Sequence, residues 1–167
     1  MTVACANVET PMGRLTLAAT GAGLVRVGLP PEDPSAVRDE LRRRLGDVVE
    51  DESGVDPARR QLDEYFAGER REFTMPLDWS LARGFRLRAL EEMFRIPYGT
   101  TISYGELAAR AGNPRAPRAA GQACATNPIP IVLPCHRVIR SDGDLNWYTG
   151  GLQYKEFLLR LEGALPS

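Results

Sequence analysis

The chain opens on short alternations of polar and apolar positions. Arg14-Leu15-Thr16-Leu17 alternates at period two, Leu24-Val25-Arg26-Val27 is short and β-branched, and Gly21-Ala22-Gly23 separates them. The pattern predicts a hairpin, with a further strand over residues 2–8. Pro30-Pro31 and Pro34 break the period. Ser35 is then placed to cap a helix with Val37, Leu41 and Leu45 on one face. A Gly- and acid-rich loop follows at residues 46–56. Pro57 opens a second helix that buries Leu62, Tyr65 and Phe66, and Gly68 ends it. Residues 69–82 read as a strand remnant and a linker, which places a lobe boundary near Leu81.

Beyond Leu81 the period becomes helical. Phe85, Ala89, Leu90, Met93 and Phe94 share one face, and that helix stops before Pro97. Tyr98-Gly99 reads as a turn. Ser103, three residues before Glu106, forms a capping-box pattern for a helix over Tyr104–Ala111. Gly112-Asn113-Pro114 ends it, and Pro117 starts another through Ala119, Ala120, Ala123 and Cys124 to about Thr126. The pair reads as a helix-turn-helix, an arrangement also found in ordinary helical packing. The expected fold is an α/β (α+β) N-terminal lobe over residues 1–80, with a small antiparallel sheet and helices. A mainly helical C-terminal lobe containing the helix-turn-helix follows over residues 81–167.

Composition narrows the class. No stretch approaches the roughly 18 apolar residues of a membrane span, and the first residues lack a basic segment followed by an apolar one. Three cysteines (Cys5, Cys124, Cys135) and one histidine, His136, suit neither a disulfide framework nor a zinc site. The expectation is a cytoplasmic protein without metal or cofactor. Charge is uneven: residues 1–80 carry a net −5 and residues 81–167 a net +4. Such a split can mark a nucleic-acid-facing half, and it also arises by chance. Twenty of the 21 basic residues are arginine.

The chemistry concentrates in Asn127-Pro128-Ile129-Pro130-Ile131-Val132-Leu133-Pro134-Cys135-His136-Arg137-Val138-Ile139. An apolar run delivers a cysteine bracketed by proline and histidine. One reading is a nucleophile whose thiolate is favoured by neighbouring groups. The other is a buried structural cysteine, the commoner fate. Residue types alone leave the two open. On an extended backbone His136 points away from Cys135, so a link between them requires a turn or a bridging water.

The pentapeptide Pro134-Cys135-His136-Arg137-Val138, with Asn127-Pro128 upstream and Gly150-Gly151 downstream, resembles the O6-alkylguanine-DNA alkyltransferases, or methylated-DNA–protein-cysteine methyltransferases. Ile96 to Ala108 resembles that family's entry into its helix-turn-helix, Arg118-Ala119-Ala120-Gly121 the start of its recognition helix, and Leu161-Glu162-Gly163 its C-terminal signature. The resemblance is close over residues 85–163 and holds in outline over the first 80.

The resemblance implies irreversible transfer of an alkyl group from O6 of guanine in double-stranded DNA, with O4-alkylthymine as a further substrate, to Cys135 of a monomeric protein. It implies a proton relay through His136, water and Glu162, and protonation of the leaving guanine by Tyr104. Asn127 would tie the recognition helix to the cysteine loop. Tyr148, Thr149 and backbone groups near Val138 would surround the extruded base, Asn146-Trp147 lying beside them. Arg118 would fill the place that base vacates, and Ala119 and Gly121 would let the helix approach DNA. Ser103, Arg115 and Arg137 join the expected DNA surface. Asn146 stands where relatives often carry glycine, which would narrow the pocket. The Phe85–Phe94 helix also lacks a tryptophan common in relatives. Two other readings compete: a lesion-binding protein of the alkyltransferase-like type, against which Cys135 itself argues, and a cysteine hydrolase built on Cys135 and His136, which leaves Arg118 unexplained.

Overall fold

The structure, a computed structural model, describes residues 2–145, 148 and 150–166. The chain divides into two compact units, Met1–Leu81 and Ala82–Ser167.

The first unit is built on a four-stranded sheet of order β3-β2-β1-β4. Strands β1 (Thr2–Thr10), β2 (Gly13–Thr20) and β3 (Gly23–Gly28) run antiparallel, as the alternation predicts. The fourth strand, β4 (Asp47–Glu50), lies inside the segment read as an acidic loop and pairs parallel with β1, Val3 opposite Val48. The sheet is therefore mixed. A parallel neighbour needs a crossover, and helix α1 (Pro34–Arg44) supplies it. Asp33, not Ser35, caps α1 by accepting from the Ser35 amide at 3.0 Å, because Pro34 occupies the first turn, where proline is preorganised for helix. Val3, Cys5, Ala18, Val25, Val37, Leu41 and Leu81 form one core between sheet and helix. Helix α2 (Asp56–Phe66) buries Ala58, Leu62 and Tyr65.

The second unit holds helices α3 (Gly84–Phe94), α4 (Tyr104–Arg110), α5 (Pro117–Ala125) and α6 (Leu152–Leu161). Small side chains let the first three approach closely: Ala89, Ala111 and Ala123 meet in one cluster beneath Phe85. Two arginines of α3 hold the far ends of the helix-turn-helix. Arg86 Nη2 donates to the Thr126 carbonyl at 2.7 Å, and Arg88 Nε to that of Ala111 at 3.1 Å. Both are cations at helix C-termini, where the macrodipole favours them. Two two-residue strands, β5 (Ile102–Ser103) and β6 (Val138–Ile139), pair parallel, Ile102 opposite Val138. That pairing joins the helix-turn-helix entrance to the segment just after Cys135, a link no local pattern reveals. Among the described residues no helix is long and apolar enough to cross a membrane.

Candidate active site

Local sequence explains how Cys135 is presented. After α5 the chain does not run on as a strand, because Pro128, Pro130 and Pro134 remove ladder donors. It forms a compact loop instead. The Asn127 side chain closes that loop, accepting from the Ile129 amide at 3.0 Å and donating to the Leu133 carbonyl at 2.8 Å. The Leu133 amide bonds the Ile129 carbonyl at 2.8 Å. Ile131, buried at the apex, has φ of 76°, a left-handed conformation that a β-branched residue holds only when its surroundings impose it. The loop delivers Cys135 into a single 3-10 turn, Cys135–Arg137. This supplies the turn that sequence reasoning required between cysteine and histidine.

That turn sends two consecutive side chains to one carboxylate. His136 Nε2 and Glu162 Oε2 are 2.8 Å apart. Arg137 donates through Nε to Oε1 and through Nη2 to Oε2, both at 2.8 Å. The Gly99 amide reaches Oε1 at 3.3 Å. Gly99 has φ of 78°, and a Cβ there would lie 3.0 Å from the Glu162 carbonyl oxygen, so this turn requires glycine. Burial works against the Glu162 charge, but the His136 and Arg137 bonds outweigh it and hold the carboxyl well below the usual range. Burial lowers the His136 pKa despite the Glu162 bond, so the resting ring is neutral. His136 is 0% exposed, and its Nδ1 has no hydrogen-bond partner among the described residues.

Cys135 is buried, and burial pushes its thiol up. Asn127, the Lys155 ammonium and Tyr148 pull it back down. Lys155 escaped the sequence reading altogether. It is the single lysine of the chain and is 0% exposed. Its Nζ donates to the carbonyls of Val138 at 2.7 Å and Leu145 at 2.6 Å. It also stands 5.9 Å from the centroid of the Tyr104 ring. Tyr104, half-buried at the start of α4, has Gly121 of α5 on another side, where an added Cβ would meet the ring at an ordinary 3.8 Å. A lone lysine among twenty arginines was the available signal, since lysine, unlike arginine, gives up its charge readily when buried.

The expected DNA-facing residues separate. Arg115, Arg118 and Ala119 are exposed at or just before the first turn of α5, and Ala120, Ala123 and Cys124 are its buried side. Ser103 caps α4, its hydroxyl accepting from the Glu106 amide at 3.0 Å. Arg137 does not belong with the exposed group. It is 5% exposed, its third nitrogen Nη1 donates to the Ile96 carbonyl at 2.7 Å, and its guanidinium lies 5.7 Å from the Tyr98 ring centroid. With each of its three nitrogens bonded to a protein acceptor and the side chain buried, this guanidinium is not presented to a phosphate. Val138, expected near the base, is buried with its carbonyl bonded to Lys155. Tyr148 is buried, and Asn146, Trp147 and Thr149 lie outside the described residues. Among the described residues no group of three or more His, Cys, Asp or Glu is arranged to hold a metal.

The site thus holds a buried thiol next in sequence to an imidazole backed by a carboxylate, in the unit that also carries a helix pair with an exposed arginine turn. Comparison with known proteins places it. The family pattern described as "6-O-methylguanine DNA methyltransferase, DNA binding domain" matches residues 84–164, and that of the same family's "ribonuclease-like domain" matches residues 3–79. The chain belongs to the 6-O-methylguanine DNA methyltransferase family. Members similar to it include the methylated-DNA–protein-cysteine methyltransferase of Methanosarcina acetivorans, 41% identical over 93% of this chain and 96% of that protein. The Mycobacterium leprae protein of the same name is also 41% identical, over 95% of this chain and 91% of its own. Among solved structures of the family, the Mycobacterium tuberculosis OGT in complex with DNA is similar at a TM-score of 0.82, with 38% identity, covering 98% of this chain and 94% of that one.

Proposed function

We propose that this protein repairs alkylated DNA by moving the alkyl group from O6 of guanine in a duplex to Sγ of its own Cys135, once per molecule. The observation that carries the reading is a buried thiol, Cys135, followed at once in a 3-10 turn by a buried His136 bonded to Glu162, in the same unit as a helix-turn-helix whose leading turn exposes Arg118. The thiol proton passes, through a water, to the unpartnered Nδ1 of His136, and the imidazolium so formed is stabilised at Nε2 by Glu162. The thiolate attacks the alkyl carbon, an S–C bond forms, and the C–O6 bond breaks with its electron pair going to the guanine. Negative charge that grows on the base is met by the Tyr104 hydroxyl, which gives it a proton. Lys155, close to both Cys135 and the Tyr104 ring, favours the two anions this sequence creates. The thioether is stable, so the protein is consumed.

Access to O6 requires the nucleotide to leave the stack, and Arg118 is the residue assigned to the space it vacates. Arg115 and Ala119 flank it on the DNA side, and Gly121 keeps the helix face low. Tyr148 and Val138, both buried, are the described residues assigned to the base pocket. Asn127 acts on Cys135 by holding the loop that presents it. All of these residues lie in the second unit of one chain, so the reaction calls for a monomer, and the first unit has a supporting role.

The test is incubation with a duplex containing one radiolabelled O6-methylguanine. Label should appear on the protein at one methyl per chain, within the peptide holding Cys135. Cys135→Ser should bind the duplex and take up no label, because a hydroxyl ionises far less than a thiol. Transfer to that variant, or label on Cys5 or Cys124, would remove the assignment.

A further inference from the structure

We infer that Arg137 is a positioning residue of the proton relay, holding Glu162 as a carboxylate in the one orientation that accepts the His136 Nε2 hydrogen. The inference rests on the proposed transfer to Cys135. Its basis is the shared carboxylate: Oε2 takes both His136 Nε2 and Arg137 Nη2, and Oε1 takes Arg137 Nε and the Gly99 amide. The fork itself cannot turn, because Nη1 is fixed on the Ile96 carbonyl and the Tyr98 ring lies beside the guanidinium.

The consequence is a choice of tautomer. A carboxylate at Nε2 can only accept, so the neutral His136 ring carries its hydrogen there and leaves Nδ1 as an acceptor for the Cys135 proton. A buried carboxyl without Arg137 would face a neutral imidazole and a backbone amide, and burial alone favours its protonated form. A carboxylic acid donates to Nε2, which moves the ring hydrogen to Nδ1 and blocks the relay. Other charges around the relay do not replace Arg137. Lys155 is the second cation that acts on His136, and it works against imidazolium formation, as does the direct effect of Arg137 itself. Glu162 is the group that favours the imidazolium, so the value of Arg137 lies in what it does to Glu162.

The experiment measures single-turnover methyl transfer from the labelled duplex, at saturating protein, across pH 5 to 8. It compares wild type, Arg137→Lys, Arg137→Met, Glu162→Gln and the Arg137→Met/Glu162→Gln pair. Arg137→Met should slow transfer about 10- to 100-fold at pH 7, up to the low end of one full acid–base contribution, and its acid limb should move up by about one pH unit or more. Arg137→Lys should restore the position of the limb and only part of the rate, because an ammonium lacks the fork. On the Glu162→Gln background, Arg137→Met should cost less than about twofold, since both act through one group. DNA affinity and its salt dependence should stay unchanged throughout. Each single removal leaves a buried charge unpaired, so Arg137→Lys, which keeps the ion pair, carries the comparison of limb position and rate if either of them folds poorly. A pH profile of Arg137→Lys and Arg137→Met superimposable on wild type would overturn the inference, as would full additivity with Glu162→Gln. A loss of affinity with a salt slope shallower by about one would make Arg137 a phosphate contact instead. Wild-type protein that takes up no label at any pH would overturn the proposed function, a result distinct from all of these.

Discussion

Arg118 and Arg115 stand apart from the other arginines between residues 103 and 140. Among the described residues Arg110 is paired with Glu106, Arg140 with Asp142 at 3.5 Å, and Arg137 with Glu162, so the unpaired basic surface of this stretch narrows to the first turn of α5 and the loop just before it. If Arg118 fills the place of an extruded base, Arg118→Ala should slow repair in duplex DNA far more than it weakens binding. It should leave reaction with free O6-methylguanine base close to normal, because the free base needs no unstacking. Transfer rates on duplex and free base, measured side by side, decide this, and equal slowing on both would exclude the extrusion role. The residue-level chemistry was uneven in the sequence. Cys135 and His136 sit in a run that marks them as candidates and leaves a structural cysteine open, and the roles of His136, Asn127 and Glu162 follow from the family resemblance. Arg137 is expected on the DNA surface and Lys155 is not singled out, because a charged residue reads as surface until distant partners are known. Their partners, Glu162 and the Val138 and Leu145 carbonyls, are 25, 17 and 10 positions away.

Among the elements, the smallest pair has the largest consequence for the site. Strands β5 and β6 set Tyr104, the first residue of α4, against the turn that holds Cys135. Ser103 belongs to β5 and caps α4 at the same time. Ser103→Ala should cost about 1 kcal/mol, the usual loss of a helix cap, and should slow alkyl transfer because the first turn carries Tyr104. Urea unfolding and single-turnover kinetics on the variant check both halves, and unchanged stability would mean that the cap contributes nothing. This cap was legible, since Ser103 and Glu106 stand at the right interval. Strand β4 was not, because Asp47-Val48-Val49-Glu50 is two valines in an acidic stretch. Its pairing with β1 depends on α1 carrying the chain back across the sheet, which no window of a few residues contains.

For the molecule as a whole, acid should act through two buried groups with the same sign. His136 has a lowered pKa in the fold, so below its unfolded value of about 6.5 the unfolded chain binds a proton that the folded one refuses. Stability therefore falls from about pH 6.5 downward. Glu162, held well below the carboxylate range, contributes stability that is complete above about pH 4.3 and is lost as pH falls further. Urea midpoints should thus be highest near neutrality and decline in two stages, each group contributing at most about 1.4 kcal/mol per pH unit. His136→Gln should flatten the stage between about pH 6.5 and 5 and leave the lower one. A midpoint insensitive to pH between 5 and 7 in the wild type would contradict a neutral, buried His136. Destabilising Arg137 or Glu162 singly should cost more than removing both, because one partner alone is a buried charge without compensation.

The lone lysine gives the molecule an unusual chemical transparency. An amine-directed acylating reagent finds one side-chain target in the whole sequence, and that ammonium is sealed between α6, Val138 and Leu145. Acylation there must wait for α6 to part from those carbonyls, so its rate follows the opening equilibrium of the acceptor region, as amide hydrogen exchange follows local unfolding. The twenty arginines take no part in that reaction and add no background. Lysine modification in this chain is therefore a built-in stopwatch for how often the cysteine's surroundings come apart.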